Sequence, residues 1–175
     1  MHKGLFPGKG TNTPPTTKIA STMSLSEKQF KRTRLAEVMS YEAFTWLDVL
    51  LIKSQSEFPY PIPAHKWFST SKGSNLLTAA IVKFLQLSGH HAERINTMGQ
   101  YRKTKSGMKW IPSGSTPGSA DIHAVINGRF VAIEIKFGRD RQSVKQKKYQ
   151  AKIEKSGAKY IVAKSLDDVI NSIRP

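Results

Sequence analysis

Apolar and polar positions change period along this chain, and each change marks an element. After Ser24, the apolar residues Phe30, Val38, Phe44, Leu47 and Leu51 recur through a stretch opened by two candidate capping boxes, Ser24 with Glu27 and Ser26 with Gln29. One or two helices are expected over 25–54. In "FPYPIPAHKW", 58–67, three prolines alternate; proline removes a backbone donor and cannot sit in a helix interior, so the stretch is read as a linker. "SNLLTAAIVKFLQLSG" then places Leu77, Ala80, Ile81 and Phe84 on one helical face, with Gly89 as the residue that ends the helix. "AERINT" reads as a short strand. From Met98 to Gly118 the chain is rich in Gly, Ser, Lys and Arg and is expected to form a long loop.

The period becomes two in "SADIHAVINGRFVAIEIK", 119–136. Asn127-Gly128 is a strong hairpin signal, because both loop positions of a type I′ turn need positive φ. A two-residue loop sets the register: Ile126 faces Arg129, Val125 faces Phe130, His123 faces Ala132, and Asp121 faces Glu134. Ala120, Ile122, Ala124, Val131, Ile133 and Ile135 form an apolar face, and Asp121, His123, Glu134 and Lys136 lie on the other. Beyond the hairpin, Ser143 caps a helix to about 156, Gly157 ends it, "KYIVA" is a buried strand, and a last helix begins at Ser165. The expected class is α/β with a central mixed sheet flanked by helices. The hairpin is antiparallel, and a crossover helix returns the next strand parallel to one already present. The expected division is a flexible basic arm over 1–23, a helical extension with its Pro-rich linker over 24–72, and an α/β domain over 73–175.

Charge narrows the partner. The chain of 175 residues carries 28 Lys and Arg against 12 Asp and Glu, a net +16. Residues 1–72 hold 10 basic and 5 acidic, leaving 18 and 7 for 73–175, so the excess lies mainly with the hairpin. Such a balance implies a polyanionic partner, nucleic acid before membrane, since no long amphipathic helix with a lysine-rich face is evident. With no cysteine there is no disulfide or thiolate metal site, and the longest aliphatic run, "VLLI", is too short to span a bilayer. A cytoplasmic or nucleoid-associated protein is expected.

The opposed carboxylates carry the chemistry. Directly opposed residues of an antiparallel pair have Cβ atoms roughly 5 Å apart, where like charges destabilise. A hard divalent cation, Mg²⁺ or Mn²⁺, takes oxygen ligands and leaves positions for water and phosphate, so Asp121 and Glu134 suit one, with Lys136 placed to hold a water or a phosphate. The bland alternative is a turn aspartate beside a solvated strand face. The run "GSADIHAVINGRFVAIEIKFGRDRQSVKQKKYQAKIEKSGAKYIVAKSLDDV" resembles the VRR-NUC branch of the PD-(D/E)XK nucleases. It matches a Gly-x-x-Asp motif in Gly118 and Asp121, a Glu-x-Lys motif in Glu134 and Lys136, and a helix glutamine in Gln146. "RINTMG", 94–99, is similar to the family's first-strand segment, and the resemblance covers about 73–170.

This resemblance implies a restriction-endonuclease-like core and metal-dependent phosphodiester hydrolysis. Asp121, Glu134 and the Ile135 carbonyl are the implied ligands, with Lys136 and Gln146 as catalytic groups. It departs from the family in one respect: the first helix opens "GSNLLTAA" without the usual acid, and Asn75, with only a neutral amide oxygen, is the nearest substitute. The expected function is a DNA endonuclease acting on duplex or branched DNA, in one form a dimeric Holliday-junction resolvase. The alternative is a non-catalytic nucleic-acid-binding module that retains the fold. The helical extension is free to form a homodimer or dock a partner.

DNA contacts are expected from two basic stretches. On the helix after the hairpin, Gln146, Tyr149, Gln150 and Ile153 share the inward face, while Lys145, Lys148, Lys152 and Lys155 form a stripe elsewhere on the helix. Arg102, Lys103, Lys105 and Lys109 interleave with Tyr101 and Trp110, aromatics that either stack on an unpaired base or pin the loop to the core. His123 is read as a hydrogen-bonding group or a general base, and His90 and His91 as helix-end residues. No P-loop, Ser/His/Asp set or zinc cluster is present, so no small-molecule cofactor is expected.

Overall fold

The computed structural model describes residues 25–96, 99–111 and 114–173. The basic arm expected over 1–23 lies outside them. Ser26 with Gln29 forms a capping box that opens a single-turn helix α1, Glu27–Phe30, while Ser24, of the other candidate box, lies outside the described residues. A 3-10 turn, Arg34–Glu37, and helix α2, Tyr41–Ser54, follow, then a short α3, Ala64–Trp67, and α4, Gly73–Leu87. Pro63 stands at the N-cap of α3, where a missing N–H costs little. Gly89, at φ +85°, lets α4 end in paired bonds from the Gly89 amide to the Gln86 carbonyl and from the His90 amide to the Leu85 carbonyl.

The central sheet has the order β1-β4-β5-β6, with β1 His91–Arg94, β4 Ile122–Ile126, β5 Arg129–Ile135 and β6 Lys159–Ala163. β1 and β5 each pair antiparallel with β4, while β6 lies parallel to β5 after the crossover through α5, Val144–Lys155. α6, Leu166–Ile173, closes the chain. Asn127 at φ 51° and Gly128 at φ 77° make the tight turn, and the expected register holds from Ile126 with Arg129 to Ile122 with Ile133. The protein is thus mixed α/β, with a mixed sheet flanked by helices.

Two apolar clusters hold the layers together. One joins Phe44, Leu47 and Leu51 of α2, Leu76, Ile81 and Phe84 of α4, Ile122, Ile133 and Ile161 of the sheet, and Leu166 and Ile170 of α6. The other, under α5, joins Ala120, Ala132 and Tyr160 with Tyr149 and Ile153. The boundary expected near 72 therefore does not separate two cores. Residues 25–72 contribute Phe30, Leu35, Val38 and Phe44 to the same core as the sheet, because α2 is too apolar to stand alone and α4 offers it a matching face. Polar bonds close the same seam: the Leu166 amide donates to the Val38 carbonyl at 2.8 Å, and the Ser40 amide to Asp167 Oδ2 at 2.8 Å.

Two further expectations change. The long loop over 98–118 contains a separate two-stranded ribbon, β2 Gln100–Thr104 with β3 Gly107–Ile111. Ala120 sits with Ala132 and Tyr160 rather than beside Ile122, since β4 begins only at Ile122 and period-two alternation does not extend into the turn before it. Among the described residues, no helix is long and apolar enough to cross a membrane.

Candidate functional site

The candidate residues meet where the end of β5 passes the first turn of α5. Glu134 and Lys136 point to one side of the strand, as the period of two requires, and both are buried, at 1% and 5% exposure. The face expected to carry the polar groups is therefore not solvated at this end. Lys136 Nζ lies 2.9 Å from Glu134 Oε1, 3.2 Å from Gln146 Oε1 and 3.3 Å from Asp140 Oδ2. Gln146 Nε2 donates to Glu134 Oε1 at 2.5 Å, and Tyr160 OH donates to Glu134 Oε2 at 3.3 Å. An ionised carboxylate out of water is costly unless it is paired and hydrogen-bonded, and here it has one cation and two neutral donors.

Asp121 is placed from the other strand. Its Oδ2 accepts from the Ile135 amide at 2.9 Å, so the aspartate caps β5 directly before Lys136. Its own carbonyl accepts from the Ile95 amide at 2.8 Å, which ties the end of β1 to the same point. Gly118 explains how the chain reaches it. At φ +85° it lies against α5 so closely that a Cβ there would meet the Lys145 carbonyl carbon and oxygen at 2.6 Å, and only glycine permits that approach. The Gly-x-x-Asp spacing thus seats a turn on the helix that carries Gln146.

Gln146 has two tasks. It completes the capping box of α5, accepting from the Ser143 amide at 2.8 Å, and it bridges Glu134 and Lys136. The first task satisfies a backbone group at the helix start, and the second joins Glu134 to Lys136.

The electrostatics follow from burial. Burial pushes the Glu134 carboxyl above its ordinary range, the hydrogen bond from Lys136 pulls it back, and the Asp121 charge pushes it up again. For Lys136, burial opposes the charge, but Glu134 and Asp140 outweigh it and hold the ammonium above the ordinary lysine value. Tyr160 is raised first by burial and then by the Glu134 charge, so its phenol stays a donor. His123, lowered chiefly by burial with Glu93 across β1 opposing, is hydrogen-bonded through Nε2 to Tyr149 OH at 3.2 Å and stacked on that ring. It serves as the hydrogen-bonding group of the second cluster.

The residues fit a hard divalent ion in kind. Asp121 Oδ1 has no hydrogen bond among the described residues, and the charge of Asp121 acts on Glu134. The β4–β5 ladder ends at Ile122 with Ile133, short of Asp121 and Glu134, and the charge of Glu134 is answered by Lys136, so an ion bound there would share Glu134 with it. Among the described residues no three His, Asp or Glu side chains converge. Asn75 is engaged elsewhere: its Oδ1 accepts from Arg94 Nη2 at 2.9 Å, beside a positive charge.

The basic residues expected to meet DNA divide into two groups. Lys145, Lys148, Lys152 and Lys155 are all exposed on α5, while Gln146, Tyr149, Gln150 and Ile153 are half-buried on its inner face. Arg102, Lys103, Lys105 and Lys109 belong to the exposed β2–β3 ribbon and its turn. Tyr160 and Asp140 were not singled out by sequence reading. Tyr160 had one signal, a hydroxyl in an otherwise apolar strand that a buried tyrosine must satisfy. A cleft of about 570 Å³ opens near the Asn127 turn, and none of Asp121, Glu134, Lys136 or Gln146 lines it. No protein-family model, curated protein or solved structure matches this chain.

Proposed function

We propose that this protein is a metal-dependent DNA endonuclease of the VRR-NUC type, with a restriction-endonuclease-like core, acting inside the cell on duplex or branched DNA. The observation that carries the reading is one connected network of Glu134, Lys136 and Gln146, with Asp121 capping the same strand end, in a chain of net +16. Asp121 and Glu134, with the Ile135 carbonyl, are the residues that would hold Mg²⁺ or Mn²⁺. When bound, such an ion supplies a more acidic water and neutralises charge on the phosphodiester.

Lys136 is held protonated by its two carboxylates, so it stabilises anionic charge and does not act as a base. Gln146 orients both Glu134 and Lys136 by donating to one and accepting from the other. The Tyr160 hydroxyl fixes the second oxygen of Glu134. The exposed lysines of α5, on the helix whose first turn carries Gln146, are suited to phosphate contact.

One observation favours a second reading, a DNA-binding module without catalysis: Glu134 is already neutralised by Lys136, and Asn75, in place of the missing helix acid, is committed to Arg94. Cleavage of supercoiled, single-stranded, flap and four-way-junction DNA in Mg²⁺, Mn²⁺ or EDTA separates the two. The nuclease reading expects metal-dependent products that vanish in Glu134→Gln. Products that persist in Glu134→Gln remove the assignment, and DNA binding without cleavage in either metal leaves the binding module.

A further inference from the structure

We propose that the β2–β3 ribbon is a stacking platform for unpaired bases, so that the DNA this protein takes carries a single-stranded segment beside its duplex. The inference deepens the reading above by naming a substrate class, and it rests on DNA as the partner but not on hydrolysis.

The ribbon has two unlike faces. Its register sets Tyr101 opposite Trp110 and Lys103 opposite Met108, and the period of two puts these four on one face. Arg102 is set opposite Lys109 on the other. The Tyr101 and Trp110 rings meet edge-on with centroids 5.0 Å apart, and Tyr101, Met108 and Trp110 remain 67%, 66% and 48% exposed. Large apolar side chains left together in water are explained by something that covers them.

Charge selects the occupant. The ribbon and its turn carry Arg102, Lys103, Lys105 and Lys109 and no acidic residue. Aromatic faces interleaved with cations fit nucleic-acid single strands, because every base offers a π-face and every nucleotide a phosphate. A blunt duplex has its bases stacked inside and offers the aromatic face nothing to hold.

Trp110 is also fixed in place. Its ring lies over Gly99 so closely that a Cβ there would stand 2.5 Å from Cζ2. One edge of the indole is therefore held by backbone, and the ring needs little ordering when a base stacks on it.

The test uses the full-length chain in EDTA, so that binding is read without cleavage and its failure is separate from failure of the nuclease reading. Fluorescence anisotropy compares a blunt duplex with the same duplex bearing a single-stranded tail. The wild type should favour the tailed DNA, and Trp110→Ala should weaken tailed binding roughly 5- to 150-fold while leaving blunt binding unchanged. Trp110→Phe should keep most of the preference, and loss of the DNA-induced fluorescence quench in that variant assigns the signal to Trp110 rather than Trp46 or Trp67. Unchanged thermal melting of the variants shows that the exposed site was altered without harm to the fold. Equal binding of tailed and blunt DNA, equal loss on both in Trp110→Ala, or no binding of either overturns the proposal. Tighter binding of tailed RNA of the same sequence overturns the assignment to DNA.

Discussion

Among the described residues two β-hairpins are built on two-residue turns, and they treat their charges in opposite ways. In β4–β5, both faces are covered at the end that carries Glu134 and Lys136, and each of those charges has a partner within hydrogen-bond reach. In β2–β3 both faces are exposed, and the cations of the ribbon and its turn have no acidic residue beside them in the ribbon. The difference is one of solvent. A buried charge must be answered inside the protein, so the site hairpin is self-neutralising; an exposed charge is answered by water and by whatever polyanion approaches. The first hairpin is suited to hold a defined geometry, and the second to meet a partner.

The sharpest way to break this comparison is to remove one cation from each hairpin. Lys136→Met leaves Glu134 buried with no cation and should cost about 3–5 kcal/mol of unfolding free energy, whereas Lys103→Met on the ribbon should stay within about 0.5 kcal/mol. Urea denaturation of both variants measures the two numbers. Adding Glu134→Gln to Lys136→Met should recover much of the loss, since the stranded charge is gone; a double variant as unstable as the single one would mean that packing, not charge, sets the cost.

Glycine provides the next contrast. Gly118 and Gly128 both have positive φ, but a Cβ at Gly118 meets the backbone of α5, and a Cβ at Gly128 meets nothing within 4 Å. Gly128→Ala should cost about 1–2 kcal/mol from backbone strain alone. Gly118→Ala adds overpacking of about 1–3 kcal/mol and should also lift the turn that seats Asp121. Equal melting temperatures for the two variants would show that the close approach to α5 does not support the site.

Two smaller effects sharpen the picture. Lys136 has a raised folded-state value, so its stabilisation is present in full below the ordinary lysine range and fades as pH rises through that raised value. The stability gap between wild type and Lys136→Met should be flat at neutral pH and shrink above roughly pH 10.4. Glu134 has the same sign in a lower pH window: its raised carboxyl favours the folded state as pH falls through its folded value, a trend that Glu134→Gln removes. On the α5 surface, replacing Lys145, Lys148 and Lys152 with Ala should flatten the log–log salt dependence of duplex binding by about 0.9 for each phosphate no longer neutralised. An unchanged slope in the salt titration assigns the stripe to solvated surface.

Much of this molecule is written in local chemistry. Asn127-Gly128 sets the hairpin register because few other pairs reach positive φ twice, and Ser26, Ser143 and Gly89 mark helix ends because they satisfy backbone groups within a few residues. The apolar period on α4, the inward face of α5 and the parallel return of β6 follow from rules of the same short range. What lies between elements distant in sequence was not legible. Proline alternation at 59–63 signals a break in the helix but says nothing of whether Phe44 and Ile133 share a core, as they do. Arg94 taking Asn75, Tyr160 reaching Glu134, and α5 covering Glu134 and Lys136 are contacts set by the packing of layers. The Glu-x-Lys spacing put both side chains on one face of β5, because that depends on the strand period alone. Only the tertiary structure decided that this face is buried and that the lysine neutralises the glutamate, because burial depends on which helix packs against the sheet.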